Sequence, residues 1–319
     1  MLLRLHSDMP SISVIMPLYN KELDVKRAVR SALSQSFEDF ELIVVNDGST
    51  DSSVEIIETI EDKRIRIIHQ ENRGVSAARN RGIAEAKADL IAFLDADDEW
   101  EPDYLETIIR LVGKFPEASV FATNYYICGR KKRIAVIRAM PNNFTEGLFD
   151  NYFLIASQSD PPLWTSAVAV RKEAIGSVGG FPVGVMSGED LLTWARIAAR
   201  YRIAYTSQPK ACFWQPLIVD ERPGRVPAVP DIVGKGLRDL LDSADTVYRK
   251  GIKNYIALWH TMRASIYLQL TDSRSARAEL QRSFQVNGFN LKWLLFFMLS
   301  LLPGRAGRLL FAIRQRMRV

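Results

Sequence analysis

Apolar and polar positions follow two rhythms along the first 125 residues. Short, nearly unbroken apolar runs at 11–18, 40–46, 65–68, 90–94 and 120–125 read as strands buried on both faces. Between them, apolar residues recur at helical spacing. Val25, Ala28, Val29, Ala32 and Leu33 predict one helix, 74–86 a second, and 102–115 a third with Pro102 as its first residue. Ser52 and Glu55 have the spacing of a capping box for a further helix. Pro17 lacks an N–H and marks the exit of the first strand. Strand and helix in short alternation predict a doubly wound, mostly parallel α/β sheet.

Beyond residue 125 the pattern changes. Arg130, Lys131, Lys132 and Arg133 read as a solvated hairpin tip between two apolar stretches. Residues 150–164, with Asp160, Pro161 and Pro162, read as an irregular loop, a length often tied to function. Residues 164–170 alternate like a strand. Gly188 precedes a helix whose core face is Leu191, Trp194, Ile197 and Ala198. Helices are expected at 232–250, 255–270 and 273–286, with Gly251 and Thr271-Asp272 as breaks. The expected organisation is a catalytic domain over 1–225, split into halves 1–125 and 126–225, a C-terminal helical extension over 226–288, and an apolar, Arg-rich segment over 289–319.

Candidate chemistry concentrates where the run 90–94 stops at Asp95, Asp97 and Asp98. Ligands of open α/β sheets gather at strand C-termini. An Asp-x-Asp there suits a hard divalent cation, which takes one or two protein carboxylates and fills its shell with water and phosphate oxygens. Carboxylates packed this densely repel one another unless a cation sits among them. An acidic surface loop would look the same in isolation. Three strand ends carry polar groups, at 17–22, Asp47 and 95–98, and in a parallel sheet these ends share one edge. Asp47 can accept from a base N–H or a ribose hydroxyl, or form a plain turn with Gly48. Arg79 can neutralise a diphosphate, hold Asp47, or lie on a solvated helix face. Glu189 and Asp190 stand at a helix N-terminus, where the dipole favours carboxylates.

Composition adds limits. The chain has 319 residues, 47% of them hydrophobic, enough for an α/β domain with an appendage. Its net charge of +5 is uneven: Lys292, Arg305, Arg308, Arg314, Arg316 and Arg318 lie in the last stretch, which has no acid. Cys128 and Cys212 are far apart and suggest neither a disulfide framework nor a zinc site, so a reducing, cytoplasmic compartment is expected. His6, His69 and His260 are isolated, which argues against a histidine metal site. The first ten residues lack the apolar core of a secretory signal. No segment reaches the ~18–20 apolar residues of a membrane-spanning helix. Nucleic-acid binding lacks a groove-reading motif, because the basic residues sit beside apolar ones.

Four ordered segments now carry a resemblance: Ser-Val-Ile-Met-Pro-Leu-Tyr-Asn-Lys-Glu (13–22), Glu-Leu-Ile-Val-Val-Asn-Asp-Gly-Ser-Thr-Asp (41–51), Glu-Asn-Arg-Gly-Val-Ser-Ala-Ala-Arg-Asn-Arg-Gly-Ile (71–83) and Phe-Leu-Asp-Ala-Asp-Asp (93–98). Together the chain resembles the family 2 glycosyltransferases of GT-A fold. The resemblance implies a nucleotide-sugar donor, with UDP as the expected nucleotide, and a Mn²⁺ or Mg²⁺ ion. It implies that Pro17, Tyr19 and Glu22 line the base pocket and that Asp47 binds the base. Arg79 would lie near base or phosphates, and Asp95 would contact ribose or metal-bound water, with Ala96 in the same donor-binding set. Asp97 would ligate the metal. Gly-Gly-Phe at 179–181 followed by Gly-Glu-Asp at 188–190 resembles the acceptor half, so Asp190 would be the catalytic base, with Glu189 and Trp164 as acceptor candidates. One base and no candidate covalent nucleophile imply inversion. The processive members' Gln-x-x-Arg-Trp is absent, which implies addition of one sugar or a few per encounter.

Residues 291–302 are apolar nearly all round and too short to span a bilayer. Such a helix is buried in something. It is either a core helix or an interfacial anchor whose neighbouring arginines meet anionic headgroups on the cytoplasmic face, and Trp293 suits that interface. The anchor is the preferred expectation: peripheral membrane contact through 291–318 with a glycan or lipid-linked acceptor, in cell-surface polysaccharide or glycoconjugate synthesis. Other classes fit less well. An Asp-x-Asp phosphatase wants Asp-x-Thr after its nucleophile, and Glu99 holds the Thr position. A nucleotidyltransferase wants a Gly-rich basic loop after the first strand, which 17–22 is not. A non-catalytic nucleotide-sugar-binding module would not require the full acid set of Asp47, Asp95, Asp97 and Asp190.

Overall fold

The computed structural model describes residues 9–149, 151–215, 226–288 and 291–302. Its first half alternates strands and helices: β1 (Ile12–Leu18), α1 (Val25–Leu33), β2 (Phe40–Asp47), α2 (Ser53–Glu58), β3 (Ile65–Gln70), α3 (Val75–Glu85), β4 (Leu90–Phe93), the short β5 (Glu99–Trp100) and α4 (Tyr104–Lys114). The second half holds β6 (Val120–Cys128), β7 (Arg133–Ile134), β8 (Glu146–Phe149), α5 (Tyr152–Gln158), β9 (Val168–Arg171), α6 (Lys172–Ser177), α7 (Glu189–Ala198) and β10 (Ile203–Trp214). Four helices follow: α8 (Ile232–Ser243), α9 (Thr246–Gln269), α10 (Ser273–Asn287) and α11 (Leu291–Leu301).

Among the described residues the strands form one sheet, ordered β3-β2-β1-β4-β9-β6-β10-β5, with β7 beside β6 and β8 beside β10. β1 to β4 pair in parallel, as do β6 and β10, while β9 runs against both of its neighbours. Side chains alternate across a strand, so one sheet feeds two cores. Ile15, Ile43, Val45, Ile91 and Phe93 face α5, α7, α8 and α9. Val14, Met16, Leu42, Val44, Ala92 and Leu94 face α1 and α4. Both faces are covered, which is why these runs contain almost no polar residue. Small residues let α3 close on the sheet. A Cβ at Gly82 would come within 2.4 Å of Ile15 Cγ2.

Several expectations are corrected. Residues 150–164 are not a loop throughout, because α5 lies there, capped by the Asn151 side chain on the Leu154 N–H. The expected strand 164–170 begins as a 3-10 turn at Thr165–Ala167 and becomes extended only at Val168. The capping box at Ser52 and Glu55 does not form. Asp51 Oδ1 accepts from the Ser53 N–H at 3.1 Å and Glu22 Oε2 accepts from the Ser52 N–H at 3.1 Å. Gly251 does not break a helix. It lies inside α9, where a Cβ would stand 2.8 Å from Phe153 Cβ, so glycine permits the close approach of α9 to α5. The break falls at Ala244 and Asp245 instead.

The cysteines are also corrected. Cys128 and Cys212 form a disulfide. They lie at the ends of β6 and β10, which pair in parallel with Cys212 opposite Tyr126 and Trp214 opposite Cys128. The separation of 84 residues hid a contact between adjacent strands. The cysteine pattern therefore no longer argues for a reducing compartment.

The helices after residue 226 continue the domain core at one end. Val233, Leu237, Ile252, Tyr255, Ile256 and Trp259 belong to the same apolar cluster as Phe93 and Trp194. Further along, Ala264, Leu268, Ala276, Leu280, Phe296 and Leu299 make a separate small cluster joining α9, α10 and α11. α11 buries one face there and leaves Leu294, Met298 and Leu301 exposed. Trp293 turns inward, with its indole N–H on the Leu280 carbonyl at 2.7 Å and its ring stacked on Phe297. No described helix is long and apolar enough to cross a membrane. The basic stretch 305–318 lies outside the described residues.

Candidate active site

The parallel register brings the C-terminal ends of β1, β2 and β4 to one edge. The β1 loop is held against the β2 loop by short bonds. Asn20 N–H meets Ser49 Oγ at 3.2 Å, Asn20 Oδ1 accepts from the Thr50 N–H at 2.8 Å, and Lys21 N–H meets Ser53 Oγ at 2.7 Å. Pro17 is buried within β1, while Tyr19 and Glu22 stay exposed on this shelf. Asp47, 3% exposed, ends β2 beneath them. Its Oδ1 accepts from Gln70 Nε2 at 2.7 Å and the Arg73 N–H at 2.9 Å, and its Oδ2 from the Gly74 N–H at 2.8 Å. Asp47 thus shapes the entry to α3, and Oδ2 keeps lone-pair capacity for one more donor.

The acids after β4 point in three directions, and each has a different cationic or neutral partner. Asp95 Oδ1 takes Arg79 Nη2 at 2.7 Å. Asp97 Oδ2 takes Lys21 Nζ at 2.5 Å, and Arg27 Nη2 caps the Asp97 carbonyl at 2.7 Å. Burial tends to lower the Lys21 ammonium, but Asp97 outweighs it and holds Lys21 above its ordinary value. Asp98 is buried, accepting from Ser166 Oγ at 2.5 Å, Trp164 Nε1 at 3.0 Å and the Trp214 N–H at 3.2 Å. Burial, with Asp95 and Asp97 beside it, pushes the Asp98 carboxyl well above the carboxylate range. Ala96 is buried between the acids.

Arg79 decides how this edge meets the second half of the chain. It is 4% exposed and sits over the Phe181 ring at 5.1 Å. Besides Asp95, its Nη1 reaches Glu189 Oε1 at 3.3 Å. It does not reach Asp47, which closes one of the alternatives left open by the sequence. Glu189, 8% exposed, opens α7, with Gly188 before it at φ 83°. That backbone favours glycine, and the space does too, because a Cβ there would lie 2.6 Å from Trp259 Cζ3. The α7 turn therefore points toward the acids of β4, and Asp190 comes with it.

Asp190 bonds to the Leu191 N–H at 2.8 Å. Burial and then the Glu189 charge push its carboxyl up to about 6, while Arg79 pulls the other way. Two tyrosines also feel its charge. Tyr152 on α5 and Tyr255 on α9 place their hydroxyls 3.4 Å apart, and burial raises both above their ordinary values. Asp190 thus lies between two buried neutral hydroxyls and the charged group of Arg79, Glu189 and Asp95.

The arrangement tests the divalent cation. Asp95 and Asp97 are partly exposed, at 24% and 35% of their side-chain surface, and each already holds a cation. Lys21, 38% exposed on a flexible stem, stands against Asp97 where a metal ion would. Among the described residues these acids do not form a closed all-protein cage. That matches a Mg²⁺ or Mn²⁺ ion that takes one or two carboxylates and completes its shell from a diphosphate.

Several groups at this site had weak or no sequence signals. Lys21 lies inside the first motif, where nothing in the sequence gives it a role. Asp98 is one acid in an acidic run. Tyr152 lies in a stretch that reads as a loop, and Tyr255 reads only as the start of a helix.

Residues 13–177 match the family described as Glycosyl transferase family 2. That is more than half the chain, and the chain belongs to this family. It is 41% identical over 118 residues to a protein named putative glycosyltransferase EpsH from Bacillus subtilis, covering 36% of this chain and 34% of that one. It is 36% identical over 142 residues to glycosyltransferase GlyA of Streptococcus pneumoniae, covering 44% of this chain and 20% of that one. The chain thus spans 34% and 20% of the length of these two curated relatives. Among solved structures it resembles S. aureus TarS 1–349 in complex with UDP-GlcNAc, with a TM-score of 0.68 at 18% identity over 94% of this chain and 89% of that one. It also resembles the mannosyltransferase PcManGT of Pyrobaculum calidifontis in complex with GDP-Man and Mn²⁺, with a TM-score of 0.58 at 19% identity over 96% and 85%. These likenesses show a GT-A fold.

The raised carboxyl of Asp190 has a consequence for stability. A carboxylic acid whose folded value lies above its unfolded one costs stability as pH rises between the two. For Asp190 that window runs from the ordinary 3.8 to about 6. Asp190→Asn should therefore raise the Tm at neutral pH, corresponding to roughly 3 kcal/mol of stability, and the gain should vanish toward pH ~4. Thermal unfolding of both proteins across this window measures it. An asparagine variant that is no more stable at neutral pH contradicts the raised value.

Proposed function

We propose that the protein is an inverting, metal-dependent glycosyltransferase that moves a sugar from a nucleoside diphosphate, with UDP as the expected nucleotide, to a hydroxyl of a glycan or lipid-linked acceptor. The observation that supports this most is the buried Arg79 joining Asp95 to Glu189, which sets Asp190 across from the acidic strand end. The UDP-GlcNAc and GDP-Man named with the two structural neighbours support a nucleotide-sugar donor.

In this reading the base rests on the β1–β2 shelf, with Pro17, Tyr19 and Glu22 around it and Asp47 Oδ2 accepting from it. Asp95, with Ala96 behind it, meets the ribose. Asp97 would hold the divalent cation, which when bound supplies positive charge to the departing diphosphate. Lys21, displaced from Asp97, remains close enough to face the phosphates. Asp190 takes the proton from the acceptor hydroxyl as that oxygen attacks the anomeric carbon. The bond to the diphosphate breaks on the opposite face, and the configuration inverts. Glu189 orients Arg79 rather than touching acceptor, and Trp164, fixed by Asp98, borders the acceptor side. A raised carboxyl suits a base working near neutral pH. The exposed apolar face of α11 supports peripheral contact with a lipid surface, which fits a lipid-linked acceptor.

Asp190→Asn should keep donor binding and lose transfer by about 10²-fold or more. Wild-type kcat/KM should rise with pH through about 6. Asp97→Ala should abolish Mn²⁺-dependent donor binding in calorimetry. Near-normal turnover in Asp190→Asn would remove Asp190 from the mechanism.

Flotation with liposomes tests the membrane contact. Wild type should float, and Leu294→Glu with Met298→Glu should not, because both side chains are exposed and leave the packed face of α11 intact. A wild-type protein that never floats contradicts it.

A further inference from the structure

A cavity of about 880 Å³ lies between α8, α9 and α10, with a mostly apolar wall into which several charged side chains are set. Four cations line it, Lys235, Arg238, Arg263 and Arg282, against two carboxylates, Asp231 and Glu279. The carboxylates are already committed. Glu279, 2% exposed, pairs with His260 Nδ1 at 2.7 Å and accepts from Arg263 Nε at 3.0 Å and Arg282 Nη1 at 2.8 Å. Asp231 caps α8 on the Gly234 N–H at 2.9 Å and accepts from Trp259 Nε1 at 3.1 Å. Lys235 and Arg238, one turn apart on α8, line this space, and neither side chain has a hydrogen-bond or ion-pair partner among the described residues. Arg263 is buried and largely committed, with Nε on Glu279, Nη2 donating to the Ala228 carbonyl at 3.2 Å and Nη1 3.7 Å from Asp231, so Lys235 and Arg238 carry the uncompensated charge.

We propose that this cavity is a binding site for a phosphate-bearing group. The positive excess is drawn from three helices and converges on one space, and guanidinium forks match phosphate oxygens in geometry as well as charge. A metal ion is the competing occupant, since Asp231, His260 and Glu279 place one ligand atom each within 4.8 Å of one another. The buried Arg263 guanidinium already lies between Glu279 and Asp231 and would repel a divalent ion there. Two sources share the phosphate chemistry. Tyr267 lines the cavity and also packs on the apolar cluster completed by α11, so a phospholipid headgroup is as close as a soluble pyrophosphate. The site also adjoins the catalytic turn, because the Trp259 indole that donates to Asp231 fills the space beside Gly188.

Calorimetry of the full chain with inorganic pyrophosphate in EDTA tests the soluble source. Flotation on phosphatidylcholine vesicles with and without phosphatidylglycerol tests the lipid one. Lys235→Ala with Arg238→Ala removes two exposed cations whose side chains hold no partner among the described residues. It should weaken pyrophosphate binding by about tenfold or more, or remove the phosphatidylglycerol-dependent fraction of flotation, according to the source. Asp97→Ala should leave either signal unchanged, which separates this cavity from the donor site. The proposal is overturned if the double variant binds both probes like wild type, if wild type binds neither, or if Mn²⁺ or Zn²⁺ binds in a His260-dependent way while pyrophosphate does not.

Discussion

One buried guanidinium ties the end of β4 to the start of α7. Arg79 leaves α3 in the first half, and a charge so deeply buried is tolerated only with partners. It finds one in Asp95, at the end of a central strand, and the other in Glu189, at the start of α7 more than a hundred residues later in the chain. Removing one partner of a buried pair typically costs about 3–5 kcal/mol. That penalty fixes where α7 begins, and Asp190 is the next residue. The donor edge and the proposed base are thus positioned by one electrostatic constraint. Neither half could set their separation alone.

The rest of the architecture protects this arrangement from behind. Gly188 leaves room for Trp259, and Tyr152 meets Tyr255 near Asp190. Both contacts come from α9, so the helices after residue 226 form the back wall of the catalytic turn rather than a detached appendage. The same wall raises the Asp190 carboxyl by excluding water. Stability is traded for function in the proposed mechanism, since the carboxyl proposed to take the proton is held where its charge is costly. Acids at the opposite edge are treated differently. Asp98 is buried and accepts three hydrogen bonds that fix the turn, while Asp95 and Asp97 stay partly exposed.

Much of this was legible from local pattern. The five apolar strands of the first 125 residues, the main helices and the clustering of Pro17, Tyr19, Asp47 and Asp95–Asp98 at one edge follow from periodicity and from parallel pairing, whereas β10, the longest strand, gave no such signal. What stayed hidden was set by contacts distant in sequence. Gly251 looks like a break until Phe153 is seen against it. Cys128 and Cys212 look unrelated until β6 and β10 lie side by side. Arg79 looked like a partner for Asp47 or for a diphosphate, because nothing in its own helix reports that Glu189 will arrive beside it. Trp293 looked suited to a membrane surface, yet the Leu280 carbonyl holds its indole inside the helical pack.

The clamp itself is open to direct measurement by a double-mutant cycle on Asp95→Asn and Glu189→Gln, read by thermal unfolding and repeated in an Arg79→Met background. The two acids share one guanidinium, so their effects should be non-additive by about 1 kcal/mol or more with Arg79 present, and additive once it is gone. Additivity within about 0.5 kcal/mol in the native background would mean that Arg79 does not join the donor edge to the catalytic turn.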